Sequence, residues 1–244
     1  MAEDGQLGVT LDVTYMSKLM DKGGEYYRQQ GGLLETVDVD LYGTGFGVAV
    51  GHREATASGY VNSERFDYVL YYGTSIFDDQ PYKTNCKIAW VYHHFPDQAR
   101  KVGNSHESVL SLSCLELFPW GICPFYTVAY ETPAGSGYGN RTSSGFWHNF
   151  GLDCGVKLPG LPGLPSDPDG EQIYHFTADI AYRDGLGGGA VDHDWTHATI
   201  GVSTSYEVTE DLAFVPGLYH QISMDDSVCT NDVTYCVMSM KYHF

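Results

Sequence analysis

Apolar and polar side chains alternate with a period of two along most of this chain. Leu7, Val9, Leu11, Val13 and Tyr15 interleave with Gly8, Thr10, Asp12 and Thr14. Val37, Val39 and Leu41 interleave with Thr36, Asp38 and Asp40, and Tyr174, Phe176, Ala178, Ile180 and Tyr182 with His175, Thr177, Asp179, Ala181 and Arg183. Successive side chains of a strand point to opposite faces, so this pattern predicts strands with one apolar and one polar face. Twelve such segments are read, near residues 6–17, 34–42, 45–52, 65–73, 85–94, 107–117, 124–130, 146–156, 173–183, 197–208, 212–222 and 233–244. Each has roughly 7–12 residues, close to the ~9–11 that a tilted strand needs to cross a bilayer. No helical period is sustained over three turns.

The connections carry a second pattern. The odd-numbered ones, 18–33, 53–64, 95–106, 131–145, 184–196 and 223–232, are long and rich in Gly, Ser and charge. The even-numbered ones, 43–44, 74–84, 118–123, 157–172 and 209–211, are mostly short. Long-short alternation with an even strand count is the pattern of outer-membrane β-barrels, and a soluble sandwich has no reason to show it. Two features depart from it. Residues 158–165 are Pro/Gly-rich and predict an extended linker segment. Pro216 lies inside a strand that needs pairing on both sides, so a bulge or a strand end is expected there.

Parity then assigns the faces. In the last segment Cys236, Met238, Met240, Tyr242 and Phe244 share one face, and Val237, Ser239, Lys241 and His243 the other. A base near the bilayer midplane on the lipid side costs about 2–4 kcal/mol, so the charged set must be the inner one. Unpaired backbone is forbidden in hydrocarbon, so the sheet must join its own ends. The fold expected is all-β: a single closed antiparallel transmembrane barrel of twelve strands, with ten or fourteen the neighbouring counts, formed by residues 1–244 as one domain. Tyr15, Tyr42, Tyr72, Tyr92, Tyr130, Tyr182, Tyr206 and Tyr242 suit interfacial girdles. Tyr242 and Phe244, an aromatic pair at the C-terminal end, resemble the C-terminal signal read by the barrel-assembly machinery.

Composition narrows the function. Asp and Glu number 31 against 13 Lys and Arg, a net charge of −18, which argues against nucleic acid. No run of about 18 apolar residues offers a transmembrane helix. The first residues show neither a basic nor an apolar leader region, and we read an exported chain whose signal peptide is not part of this sequence.

Leu11-Asp12-Val13-Thr14-Tyr15-Met16-Ser17-Lys18, followed by Val37-Asp38-Val39-Asp40-Leu41-Tyr42-Gly43-Thr44-Gly45-Phe46-Gly47, resembles the opening strands of small porins of the TorF-like kind. The resemblance implies a pore-forming or transport role and brings no functional residues with it. The six Cys and the acidic balance are not features of that group.

Candidate chemistry follows from the inner face. Asp12, Asp38, Asp40, Asp67, Asp153 and Asp179 are expected inside with Lys87, Lys157, Arg183 and Lys241. They would line a water-filled, cation-preferring lumen; the alternative is a filled interior in which these charges pair. Asp192, His193, Asp194 and His197 resemble a metal-ligand cluster, against the reading of polar residues at strand ends. His193, Asp194 and Ser203 allow a catalytic constellation, but no catalytic motif is present, so no enzyme and no cofactor are expected. Cys86 with Cys114, Cys123 with Cys154, and Cys229 with Cys236 are candidate hairpin-clamping disulfides. The leading function is passive diffusion of small solutes across a bacterial outer membrane, with lipid, the assembly machinery and copies of the same chain as partners. The rival is a non-conducting structural barrel whose outer loops bind a partner or lattice neighbour; a soluble secreted β-protein stands third.

Overall fold

The computed structural model describes residues 6–28, 30–60, 63–98, 103–114, 117–118, 121–135, 144–160, 170–186 and 193–244. Twelve long strands build the wall: β1 Gly8–Met16, β2 Gly32–Asp40, β3 Phe46–Ala55, β4 Arg65–Ile76, β5 Thr84–His94, β6 Ser105–Cys114, β7 Ile122–Pro133, β8 Gly145–Pro159, β9 Glu171–Asp184, β10 His193–Thr204, β11 Leu212–Ser223 and β12 Val233–His243. All twelve segments read from the alternation are strands, displaced at their ends by a few residues.

Every strand pairs antiparallel with its sequence neighbours. The ring closes between β1 and β12, from Thr10 opposite His243 to Met16 opposite Val237. The amide of Phe244 adds a bond of 2.9 Å to the Val9 carbonyl, so the terminal residue seals that seam. Closure leaves no free edge, so the strands' backbone groups pair within the sheet except where Pro216 interrupts the ladder.

The faces are inverted relative to a soluble protein. Ile88 and Ile200 are 57% and 52% exposed, whereas the charged Asp67 and Glu107 are 7% and 6% exposed. Exposed Leu70, Trp90, Phe150, Leu218 and Met240 continue the outer belt. An apolar exterior on a closed sheet is stable only against hydrocarbon. Tyr42, Tyr72, Tyr130 and Tyr242 are exposed as a girdle requires. Tyr206 is not: it is buried at 1%, because the strand breaks before it.

That break answers to Pro216. The β10–β11 ladder runs only to Ser203 opposite Gly217, and pairing resumes at Tyr206 opposite Phe214. Pro216 has no N–H to offer Thr204, so the partner strand is interrupted. Pro216 itself keeps its place opposite Met238 on the other side. The Pro/Gly-rich linker also differs from expectation. Its first residues, Leu158 and Pro159, belong to β8 and pair with Gln172 and Glu171, while 161–169 lie outside the described residues.

The disulfide expectation is corrected. Among the described residues no disulfide joins any of the six cysteines. Register is the reason: Cys86 stands opposite Leu112 and Cys114 opposite Thr84, while Cys123 stands opposite Asp153 and Cys154 opposite Ile122. A bridge needs Cα atoms within about 7 Å and convergent Cβ vectors, and one-residue offsets put the second pair on opposite faces.

The belt generates a direct test. Replacing Leu70, midway along β4, by Arg should destabilise the folded barrel in lipid vesicles by about 2–4 kcal/mol, read from urea unfolding.

Candidate functional site

The first long connection does not project from the wall. Residues Met20–Asp21 and Gly24–Glu25 form a two-stranded hairpin that folds into the lumen at the end opposite the termini. Its turn residues, Lys22 and Gly23, both have positive φ, 48° and 84°, the requirement of a type I′ hairpin turn. Gly23 is fixed by a second constraint, since a Cβ there would lie 2.1 Å from Nδ1 of His197. Leu19 and Tyr27, each 1% exposed, seat the stem of the hairpin.

The hairpin is held by ionic and hydrogen-bonding groups from across the lumen. Asp21 accepts from Arg53 of β3 and Arg65 of β4, both at 3.0 Å. The Lys22 ammonium meets Glu107 of β6 at 2.9 Å and Glu131 of β7 at 3.3 Å. Arg183 of β9 donates to the Lys22 carbonyl at 2.7 Å, and Gln221 of β11 to the Gly23 carbonyl at 2.8 Å. Behind these lies a second layer. Asp67 receives Arg53 and Arg65 at 3.0 and 2.9 Å and His93 at 2.5 Å, and His93 reaches Glu107 at 2.7 Å. The Arg65 guanidinium also sits over the Tyr26 ring. Four carboxylates, Asp21, Asp67, Glu107 and Glu131, thus face four bases, Lys22, Arg53, Arg65 and Arg183. The layer is charge-balanced before His93 is counted.

The charges predicted for the lumen divide into two groups. Asp67 and Arg183 belong to this constriction. Asp12, Asp38, Asp40, Lys87, Asp153, Asp179 and Lys241 share the inner-face parity of their strands toward the middle and the terminal end. Asp12 accepts from Thr14 and Ser239, with Lys241 at 3.8 Å. Tyr71 donates to Asp38 at 2.8 Å and carries Lys87 over its ring. Asp153 faces His175 at 2.9 Å. Lys157, near the terminal end, faces Glu171 at 3.8 Å. Toward the terminal end a cavity of about 580 Å³ opens between Ser75, Asn85, Lys87, Ser111, Ser113 and Thr127.

Among its described members the histidine and aspartate cluster is not assembled. His193 faces Asp184 at 2.9 Å, Asp194 accepts from the Trp195 amide, and His197 is buried against the hairpin. Asp192 lies outside the described residues. Among the described residues no three such groups gather around a metal position. His106 and His148 instead join the outward aromatic belt, stacked on Trp90 and Phe150. Arg53, Arg65, Glu107, Glu131 and Gln221 escape a sequence reading because they fall in apparent loops or at strand ends. Their inward parity is the signal that marks them.

Burial pushes the Asp21 carboxyl up, but Arg53, Arg65 and Lys22 outweigh it and hold that carboxyl well below the usual carboxylate range. Burial lowers Lys22, yet Glu107 and Glu131 raise it above the ordinary lysine value. A depressed acid contributes above its unfolded value and is lost as pH falls through its folded one; a raised base contributes below its unfolded value and is lost on the alkaline side. The Asp21 contribution to hydrogen-exchange protection of the 19–25 backbone should therefore be lost as pH falls below about 4, and the Lys22 contribution as pH rises above about 10. Lys22→Met removes the partner of two buried carboxylates, at a cost of about 3–5 kcal/mol. It should release the hairpin, read as lost protection of the same backbone while the wall strands stay protected.

No protein-family model and no curated protein matches this chain. Solved structures do. A KdgM porin superposes with a TM-score of 0.57 at 10% identity, covering 96% of this chain and 99% of the porin. A NanC porin gives 0.55 at 9% identity, over 95% and 98%. The COG4313 outer membrane channel of Pseudomonas putida F1 gives 0.55 at 7% identity, over 100% and 97%. These likenesses concern the fold: the chain is a closed twelve-strand antiparallel β-barrel with an apolar exterior, the fold of those outer-membrane channels.

Proposed function

We propose that residues 1–244 form one barrel domain that carries small solutes passively across the outer membrane, with preference for cationic and neutral ones. The termini face the periplasm and the hairpin end faces outside. One observation carries the charge preference. Below the balanced constriction the inner face presents Asp12, Asp38, Asp40, Asp153 and Asp179 against Lys87, Lys157 and Lys241 among the residues named for it, five acids to three bases. Within about one Debye length, roughly 8 Å at physiological salt, such a wall concentrates cations and repels anions. The assembly machinery reads Tyr242 and Phe244, which lie 4.7 Å apart at the exposed end of β12.

The second reading, a non-conducting barrel whose outer loops bind a partner, is favoured by the same hairpin, since it ties opposite walls together across the lumen. Planar-bilayer recordings separate the two. A potassium chloride gradient should give a reversal potential of cation-preferring sign. Asp38→Asn with Asp40→Asn should move it toward zero. Anion preference would overturn the charge assignment. Absence of current from both the native barrel and Lys22→Met would leave the non-conducting reading.

A further inference from the structure

The hairpin occupies its site in the way a bound peptide would. Its carboxylate lies on a guanidinium pair, its ammonium on a carboxylate pair, and two consecutive carbonyls accept from Arg183 and Gln221. We infer that the wall groups holding Asp21-Lys22-Gly23 are a binding site for short peptides bearing both a carboxylate and an ammonium group, and that the hairpin is their resident competitor. The inference rests on the reading of the lumen as a solute route.

Three observations support it. First, three of the wall groups, Arg53, Arg65 and Glu107, are positioned without the hairpin. Asp67 holds Arg53 and Arg65 in place, and His93 bridges Asp67 to Glu107. Recognition groups locked by their own neighbours lose little entropy when a ligand arrives. Second, the hairpin leaves hydrogen-bonding capacity unused beside it. Trp147 stands opposite Arg183 in the β8–β9 ladder. The Trp147 indole Nε1, the Arg183 Nε and the Asn149 Oδ1 are all buried with no partner. Buried polar atoms without partners are costly, and a longer peptide than the hairpin turn could engage them. Third, the hairpin itself is slight. Its own ladder is two residue pairs, too short to be stable apart from the wall, so it can be exchanged.

The site also sets a size rule. The position filled by Gly23 touches the His197 ring and admits no side chain. A peptide following the hairpin's path needs glycine after its cationic residue.

The test is calorimetric titration of the detergent-solubilised barrel with N-acetyl-Asp-Lys-Gly-amide. Two forms free the site: Asp21→Asn with Lys22→Met, which keeps the loop length, and replacement of residues 19–25 by a short Gly/Ser connection. Either form should bind this peptide at least tenfold more tightly than the native barrel does. Replacing the peptide's lysine by norleucine, or its glycine by leucine, should weaken binding at least tenfold. Adding Glu107→Gln and Glu131→Gln should abolish the preference for lysine over norleucine. Equal binding of all three peptides, or no binding to either freed form, overturns the proposal. Bilayer recordings of the same two forms test the solute route separately. Binding without current would reject the route and leave the site; current without binding would do the reverse.

Discussion

The antiparallel ladder between β1 and β12 is the bond on which everything else depends. Hydrocarbon offers no partner to a peptide group, so a sheet with two edges could not stay there. Pairing Thr10–Met16 with Val237–His243 removes both edges at once. Closure then forces the division of faces. Side chains of one parity meet lipid and must be apolar. Those of the other meet an enclosed space where charge is tolerated only with partners or water. The ionic layer around Asp21 and Lys22 follows from that second condition. Charges drawn into the narrow end are matched almost group for group.

A buried network of this kind is a poor source of net stability, because desolvating each ion offsets much of the attraction between them. Its value here is geometric. Arg53, Arg65, Asp67, His93 and Glu107 come from four consecutive strands, and each fixes the next. The wall at that level is rigid, whereas the hairpin it grips is short and joined to the barrel only through its stem. Lower down, inner-face tyrosines such as Tyr71 and Tyr219 lie flat over glycines, Gly47 for the first and Gly201 for the second. The bulk of both rings is thus spread against the wall rather than aimed at the axis.

The strands were legible in the sequence because lipid imposes a rule on every second residue, and Leu11, Val37, Phe176 and Met240 all obey it. The inward parity of Asp12, Asp38, Lys87 and Lys241 was legible for the same reason. The hairpin was not. A loop that folds inward and one that projects outward are both polar and glycine-rich, and Lys22-Gly23 reads as a turn in either case. Arg53 and Glu131 looked like loop residues, since a strand end carries no periodicity beyond itself. The cysteines failed differently: Cys86 and Cys114 are neighbours in strand order, but whether they face one another is set by register, which strand order leaves undefined. Pro216 was read correctly as a disturbance, yet the damage falls on the strand opposite, where Thr204 lacks a donor.

The hairpin is tied by its stem to adjacent strands. A segment on so short a tether is present at its own docking surface at an effective concentration in the millimolar range. A free molecule of equal affinity must reach a comparable level to take its place, and a tighter one proportionately less. On the proposed reading, a competing ligand meets a threshold set by loop length as well as by its own contacts.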